Sequence, residues 1–256
     1  MADIKIETGR WTDVGLRRDH NEDEHTVFTA PDGSQVLVVA DGMGGHLAGE
    51  VASKMAVQIL ERELQRPDGR PAENPAATLT QAIEQANHEI WQAAADDPAK
   101  AGMGTTIVAA IITGNEAHLA NAGDSPAYLV RDHRIADQTD EHGLVAEQVK
   151  AGFLTEEDAE HHPFRHMLTR CLGVEASVEV QTYQPWVLQP GDVIVLCSDG
   201  LTEHVKPPKI AELAGQDHNI TANDIAHLLV NLANEGGGHD NITVVVGRAI
   251  STGAAT

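Results

Sequence analysis

QVLVVADGMGGH, residues 35–46, begins as an apolar β-strand and ends on a carboxylate that is followed by glycines. Aspartate and glycine are common after a strand because both residues suit tight turns. Three glycines among the four residues after Asp41 are more than a turn requires. The pattern indicates a charge that is held at a fixed place, with backbone packed close beside it.

The same arrangement recurs at three other aspartates, which are far apart in the sequence. Asp124, Asp199 and Asp240 each lie beside or close to glycine at the beginning or the end of an apolar run. For each aspartate alone, a turn is the simpler interpretation. For all four together, the better interpretation is a fold that brings these strand ends to one place.

A cluster of carboxylates points to a hard divalent cation. Mg²⁺ and Mn²⁺ prefer oxygen ligands, and carboxylates placed close together without a cation would repel one another. Two such ions roughly 3.5–4 Å apart can bridge a water molecule and convert it to hydroxide at neutral pH. An arginine can bind a phosphate ester through its planar fork, and the segment 15–25, GLRRDHNEDEH, contains two arginines. Taken alone, that segment is typical of an exposed charged loop.

The composition favours a folded protein and disfavours polyanionic partners. The chain has 256 residues, of which 41% are hydrophobic, and its formal charge is −22. So acidic a surface repels nucleic acid and anionic lipid, and we expect neither nucleic acid nor membrane as a partner. The sequence has no apolar run of 18 residues and no apolar signal region at its N-terminus, so we expect a cytoplasmic protein. Cys171 and Cys197 lack the spacing of a zinc ribbon or a disulfide framework.

The order of the predicted helices and strands favours a layered α/β fold with mostly antiparallel sheets. Apolar residues recur with a helical period in 49–66, in 76–95 and within 221–235. The run 116–131 predicts a hairpin-like pair or one interrupted strand. Two successive helices followed by several strands lack the regular alternation of a parallel sheet, and one domain is the simpler organisation. The strand-like runs are 36–41, 105–113, 116–131, 192–199 and 241–250.

Seven short motifs occur in the order seen in a known protein family. Each motif alone is weak, but seven in the right order are highly specific. The chain resembles the bacterial metal-dependent serine/threonine protein phosphatases of type 2C, from about residue 7 to residue 248. The motifs are RDHNED (18–23), DGMGGHLAGE (41–50), MGTT (103–106), GDSPAYL (123–129), LTRCLG (168–173), SDGL (198–201) and GGHDNIT (237–243).

The resemblance implies a fold that the periodicity alone does not specify. This is an α+β fold, a four-layer αββα sandwich in which two central antiparallel β-sheets are flanked by pairs of helices. It also implies a single phosphatase domain over 1–256, with 249–256 as a loose tail. Two catalytic Mn²⁺ or Mg²⁺ ions would lie at one edge of the sandwich, with a third, weaker ion beside them.

The resemblance further implies which residues hold these ions. Asp41 would bridge both catalytic ions, and the backbone carbonyl of Gly42 would bind one of them. Asp199 and Asp240 would complete the coordination of the other ion. Asp124, together with Asp199, would hold the third ion.

Four further residues have roles that the resemblance implies around the ions. Arg18, rather than its neighbour Arg17, matches the arginine that binds the phosphate group. Glu22 and Asp23 would act through metal-bound water molecules. Asn241 would orient the aspartate that precedes it by hydrogen bonding.

This chain departs from the pattern of some relatives at two positions. Those relatives carry a histidine, proposed as the general acid, where this chain has Met43, and the histidine here comes at His46. A metal-bound water is the alternative acid. Pro126 stands where many relatives have arginine, which leaves the geometry around the third ion open. The acidic, histidine-rich segment 140–170 matches the flap of bacterial relatives, and its scattered histidines fit a solvated flap better than a transition-metal site.

The expected activity is hydrolysis of phosphoserine and phosphothreonine in proteins, by in-line attack of a metal-bridging hydroxide. We expect a monomer whose partners are phosphorylated proteins, including a serine/threonine kinase or its substrates. Two other functions stay open, a module that binds a phosphoprotein with slow turnover and a two-metal nuclease. The intact aspartates count against the first, and the charge of −22 without a basic groove counts against the second.

Overall fold

Twelve β-strands form two antiparallel sheets in the computed structural model, which describes residues 4–44, 48–66, 73–215 and 220–252. The five-stranded sheet has the order β1-β12-β11-β7-β8. The seven-stranded sheet has the order β10-β6-β5-β3-β2, with β4 paired to β3 and β9 paired to β6. The strands are β1 Ile4–Asp13, β2 Asp23–Thr29, β3 Gln35–Met43, β4 Gly104–Thr105, β5 Ile107–Thr113, β6 Glu116–Ala122, β7 Ala127–Arg131, β8 Arg134–Gln138, β9 Gln181–Thr182, β10 Trp186–Val187, β11 Val193–Cys197 and β12 Ile242–Ser251.

Side-chain caps begin two of the three long helices of the described ranges. The side chain of Asn74 accepts a hydrogen bond from the first turn of the second helix, and Thr221 and Asp224 form a capping box at the last one. None of these helices is long and apolar enough to cross a membrane. The helices are α1 Ala48–Leu64, α2 Pro75–Asp96, α3 Leu144–Lys150, α4 Glu156–Glu160, α5 Asp199–Thr202, α6 Pro207–Ala214 and α7 Ala222–Glu235, with a 3₁₀ turn at Pro98–Lys100.

Three apolar cores separate four layers. Along β3, Val36 and Val38 face the core beneath α1 and α2, whereas Leu37 and Val39 face the core between the two sheets. The third core lies between the five-stranded sheet and helices α6 and α7. A strand that is buried on both faces has a continuous apolar run rather than an alternating one. Residues 36–40 of β3 have this pattern. The predicted α+β, αββα sandwich is confirmed.

The prediction for 116–131 is wrong. The run forms two strands, but β6 belongs to the seven-stranded sheet and β7 to the five-stranded sheet, so they are neither a hairpin nor one interrupted strand. Both strands are largely buried, and their apolar pattern therefore does not reveal which neighbours they pair with. Residues 123–126 carry the chain from one sheet to the other.

A buried ion pair joins the end of β7 to the residue before β11. The guanidinium of Arg131 donates to the carboxylate of Asp192 through Nε at 2.8 Å and through Nη2 at 2.5 Å. Asp192 is only 2% exposed and also accepts the backbone N–H of Gln189 at 2.7 Å. This contact fixes the five-stranded sheet at the end away from the aspartates.

Candidate metal centre and active site

The aspartates that the sequence singled out meet at the seam between the two sheets. Asp41 lies near the end of β3 in the seven-stranded sheet. Asp199 begins α5 directly after β11, and Asp240 lies two residues before β12, so both come from the five-stranded sheet. Asp124 lies on the crossover between the sheets. Asp23 pairs with Asp41 across β2 and β3 and adds a fifth carboxylate.

The close approach of these carboxylates changes their acidity. Burial raises the pKa of Asp41 well above its usual range, and the charges of Asp23, Asp199, Asp124 and Asp240 raise it further. Burial also raises the pKa of Asp124 to about 8 and that of Asp23 to about 7. The pKa of Asp199 is raised by burial first and by Asp240 next. Carboxylates packed this closely favour either a bound proton or a bound cation.

The donor set of the cluster fits a hard divalent cation. All five side chains offer carboxylate oxygens, the ligands that Mg²⁺ and Mn²⁺ prefer. Asp23 accepts a hydrogen bond from the hydroxyl of Ser198 at 2.7 Å through Oδ2, while its buried Oδ1 has no hydrogen-bond partner. A buried polar atom without a partner is costly unless water or an ion satisfies it. The residues present therefore fit the metal that the motifs imply.

Two threonines fix the backbone of Asp41, and the sequence reasoning had given them no role. The hydroxyl of Thr105 and the backbone N–H of Thr106 both donate to the carbonyl of Asp41 at 2.8 Å. The N–H of Asp41 in turn donates to the hydroxyl of Thr106 at 3.1 Å. Both threonines belong to the motif MGTT, so the signal was present, but a hydroxyl that binds backbone is common in turns and points to no particular site.

Gly42 has a close backbone neighbour on either side. Its N–H donates to the carbonyl of Glu22 at 3.1 Å. A Cβ at this position would lie 2.5 Å from that same carbonyl oxygen and closer still to the carbonyl of Gly49. Only glycine fits this approach of three chain segments, and this is the physical reason for the first glycine after the strand.

Arg18 lies at the rim of the cluster. Its Nη2 donates to Oδ2 of Asp240 at 2.6 Å, and the two side chains are 48% and 30% exposed. An exposed guanidinium next to a carboxylate of the cluster is well placed to meet a phosphate that enters from solvent. Arg17, the alternative in the sequence, is also exposed.

Asn241 holds the loop that carries Arg18. Its amide Nδ2 donates to the carbonyls of Val14 and His20, both at 2.9 Å, and its Oδ1 accepts the N–H of Glu22 at 2.8 Å. Its backbone N–H donates to Oδ1 of the preceding aspartate at 2.7 Å. The side chain that was expected to orient Asp240 thus positions the loop 14–22, and only the backbone of Asn241 contacts Asp240.

Glu22 and Pro126 both contact neighbouring segments through their backbone carbonyls. Burial raises the pKa of Glu22, whose backbone carbonyl also accepts the hydroxyl of Ser53 at 2.6 Å. The carbonyl of Pro126 accepts the N–H of Cys197 at 3.1 Å, so proline extends the pairing of β7 with β11. His46 lies outside the described residues.

The flap 140–170 is attached directly beside Asp124. The imidazole Nδ1 of His142 accepts the backbone N–H of Gly123 at 3.1 Å. The backbone N–H of His142 donates to the carbonyl of Gly123 at 3.0 Å. The helices α3 and α4 lie farther along the flap, and its other end returns to the base through the N–H of Thr169, which donates to the carbonyl of His142 at 2.9 Å. The base of the flap is therefore hydrogen-bonded to the crossover that carries Asp124.

A two-sheet sandwich with carboxylates along its seam and an arginine at the rim defines a metal-dependent phosphoester hydrolase. The family model of protein phosphatase 2C matches residues 17–232, and the chain belongs to that family. It is 41% identical over 236 residues to the serine/threonine phosphatase stp of Listeria monocytogenes, with 92% of each protein covered. It is 35% identical over 241 residues to the protein phosphatase PhpP of Streptococcus pneumoniae, with 94% of this chain and 96% of that protein covered.

Solved structures of serine/threonine phosphatases superpose on this fold. The serine/threonine phosphatase of S. agalactiae superposes with a TM-score of 0.89 at 36% identity and covers 95% of this chain and 99% of its own. The catalytic domain of the phosphatase PstP in complex with two manganese ions superposes with a TM-score of 0.80 at 32% identity, covering 97% of this chain and 100% of that chain. The chain is accordingly a metal-dependent serine/threonine protein phosphatase that acts on phosphoproteins, and the predicted family, fold class and enzyme class are confirmed.

Proposed function

We propose that this chain hydrolyses phosphoserine and phosphothreonine monoesters directly, without a phosphoenzyme intermediate. The meeting of Asp41, Asp124, Asp199 and Asp240 at one seam, with Arg18 at its rim, is the observation that carries the proposal. Bound Mn²⁺ or Mg²⁺ would supply an acidified water as the nucleophile and would neutralise the phosphoryl group.

The chain's own residues divide this work. Asp41 and the carbonyl of Gly42 would hold the first ion, with Asp41 shared with a second ion held by Asp199 and Asp240. Asp124 with Asp199 would hold a third, weaker ion. The threonine hydroxyl and N–H that bind the carbonyl of Asp41 keep its carboxylate in place while charge builds up beside it.

Arg18 would change partners during the reaction. In the structure it pairs with Asp240 at 2.6 Å. When it turns from Asp240 to the substrate, its guanidinium can donate to two phosphate oxygens at once. Arg18 would thereby orient the phosphoryl group for in-line attack.

The two cysteines do not support a covalent route. Burial raises the pKa of Cys171 to about 11 and that of Cys197 well above its usual range, so both are thiols at neutral pH. A thiol is a much weaker nucleophile than a thiolate. Attack by water is therefore the route that the side chains of the site support.

The proposal extends to partners and organisation. A serine/threonine kinase or its substrates, opposed by this enzyme, are the phosphoproteins that we propose as partners. We further propose one domain over 1–256, a monomer in the cytoplasm, and no nucleic-acid or membrane partner, with the charge of −22 as support for the last two.

Phosphate release from a phosphothreonine peptide tests the mechanism. We expect release with Mn²⁺, none with EDTA, and a loss of roughly 10²–10³-fold in Asp240→Asn, the range seen when one transition-state-stabilising group is removed. Arg18→Lys should lose at least about tenfold in kcat/KM because lysine lacks the fork, while the matched control Arg17→Lys keeps its activity. Tight peptide binding without turnover in any metal would instead support the binding-module function, and DNA cleavage would support the nuclease.

A further inference from the structure

We propose that Glu203, His204 and His239 form a second metal site, separate from the aspartate cluster, that binds Zn²⁺ or a similar borderline transition metal. The ligand atoms of the three side chains lie within 4.8 Å of one another. Glu203 is 3.9 Å from Nε2 of His204 and 3.9 Å from Nδ1 of His239 through its two oxygens. The imidazoles meet edge to face with their centres 4.7 Å apart.

The chemistry of this donor set differs from that of the seam. Two imidazole nitrogens and one carboxylate suit Zn²⁺, whereas an all-carboxylate cluster suits Mg²⁺ or Mn²⁺. Three protein ligands leave a fourth tetrahedral position for water or another molecule. The two sites would therefore prefer different metals.

Glycines make room for the paired imidazoles. A Cβ on Gly237 would lie 3.0 Å from Nε2 of His239 and 3.3 Å from Cε1 of His204. A Cβ on Gly236 would lie 2.9 Å from Cβ of His204. The glycines before Asp240 thus serve a packing requirement that the aspartate itself does not impose.

The cluster must contract on binding, since its ligand atoms lie within 4.8 Å of one another. Ligand atoms around tetrahedral Zn²⁺, with bonds of about 2.0–2.1 Å, lie about 3.3 Å apart, against the 3.9 Å between Glu203 and each imidazole. Nε2 of His204 accepts the backbone N–H of His239 at 3.3 Å, and the metal would replace that long hydrogen bond. His239 is 54% exposed, so the metal has access from solvent.

The site lies on the two segments that carry catalytic aspartates. Glu203 and His204 follow α5, which begins at Asp199, and His239 immediately precedes Asp240. A metal here would tie these segments together outside the seam. Any effect of that constraint on hydrolysis depends on the proposed function, but the binding itself does not.

Zinc titration of the Mg²⁺-saturated protein, followed by the imidazole Cε1–H signals in NMR and by calorimetry, tests the proposal. We expect one zinc equivalent that shifts the signals of His204 and His239 and that is lost in His204→Gln and in His239→Gln. His161→Gln, an exposed flap histidine, is the matched control and keeps it. Because His239 is exposed, His239→Gln folds even if the more buried His204 proves structural.

Two results would overturn the site. The first is a wild-type protein that binds no more zinc than His239→Gln does. The second is a zinc equivalent that leaves both imidazole signals unmoved, which would place the ion among the carboxylates. Neither measurement uses phosphatase turnover, so failure of this site is distinguishable from failure of the proposed mechanism.

Discussion

Asp23→Asn should change how the stability of the metal-free protein depends on pH. Asp23 is 8% exposed, and burial raises its pKa from the ordinary 3.8 to about 7. Between pH 3.8 and about pH 7, the folded protein therefore keeps a proton on Asp23 that the unfolded chain has already released. Its contribution to stability is fully present below pH 3.8 and is lost as the pH rises through about 7.

The size of this effect follows from the two pKa values. Between pH 5 and pH 8 the linkage relation gives a loss on the order of 2–3 kcal/mol in the free energy of unfolding. Asp41 titrates in both proteins, and the charge of Asp23 raises its pKa further. The difference between wild type and Asp23→Asn therefore reports the proton on Asp23 together with its coupling to Asp41.

Urea unfolding in EDTA from pH 5 to pH 8 measures the effect. Wild type should lose stability with rising pH, and Asp23→Asn should lose on the order of 2–3 kcal/mol less over the same range. Asp137→Asn, an exposed carboxylate on β8, is the control and should follow wild type. Mn²⁺ at pH 8 should restore the stability of wild type, because an ion that binds only the folded state stabilises it by mass action. Parallel curves for wild type and Asp23→Asn would refute the reasoning.

Three further predictions concern groups around the site. Asn241→Asp removes two buried donors, so we expect a loss of roughly 2–3 kcal/mol in urea unfolding, with a raised KM for phosphopeptide as the loop 14–22 loosens. Gly42→Ala forces a Cβ against the carbonyls of Glu22 and Gly49, and we expect a loss of more than about 2 kcal/mol, whereas unchanged stability would show that the segments can separate. Asp192→Asn removes the charge that pairs with Arg131, which is 29% exposed and also donates to the carbonyl of Val187, and should cost about 1.5–3 kcal/mol while activity per folded molecule stays the same.

The sequence predicted the three long helices well because each has an apolar face, and two of them also have a side-chain cap. The helix expected at 76–95 runs from Pro75 to Asp96, and the one expected within 221–235 runs from Ala222 to Glu235. Strand partners were harder to predict, since β6 and β7 are both buried and pair with strands that are distant in sequence. Periodicity reports burial, whereas pairing depends on contacts that periodicity does not encode.

The charged residues of the site could be predicted from the sequence, but the hydroxyl groups that hold them in place could not. The aspartates were recognisable because a carboxylate near glycine at the beginning or the end of an apolar run recurs four times. The hydroxyls of Thr105, Thr106 and Ser198 were not recognisable, because a threonine or serine in a turn has many structural uses. The cluster of His204 and His239 was missed for a similar reason, since 35 positions separate two histidines that only the folded chain brings together.

The position of the seam between the two sheets affects how the protein would resist a pulling force. One sheet supplies Asp41 and the other supplies Asp199, so an ion bound by both would be a reversible cross-link between the halves of the sandwich. Closing so long a loop removes chain entropy from the unfolded state worth on the order of 5 kcal/mol for a permanent link. Under pulling force, the sheets of the loaded enzyme should separate only after the ion leaves, and the metal would then determine how strongly the two halves resist being drawn apart.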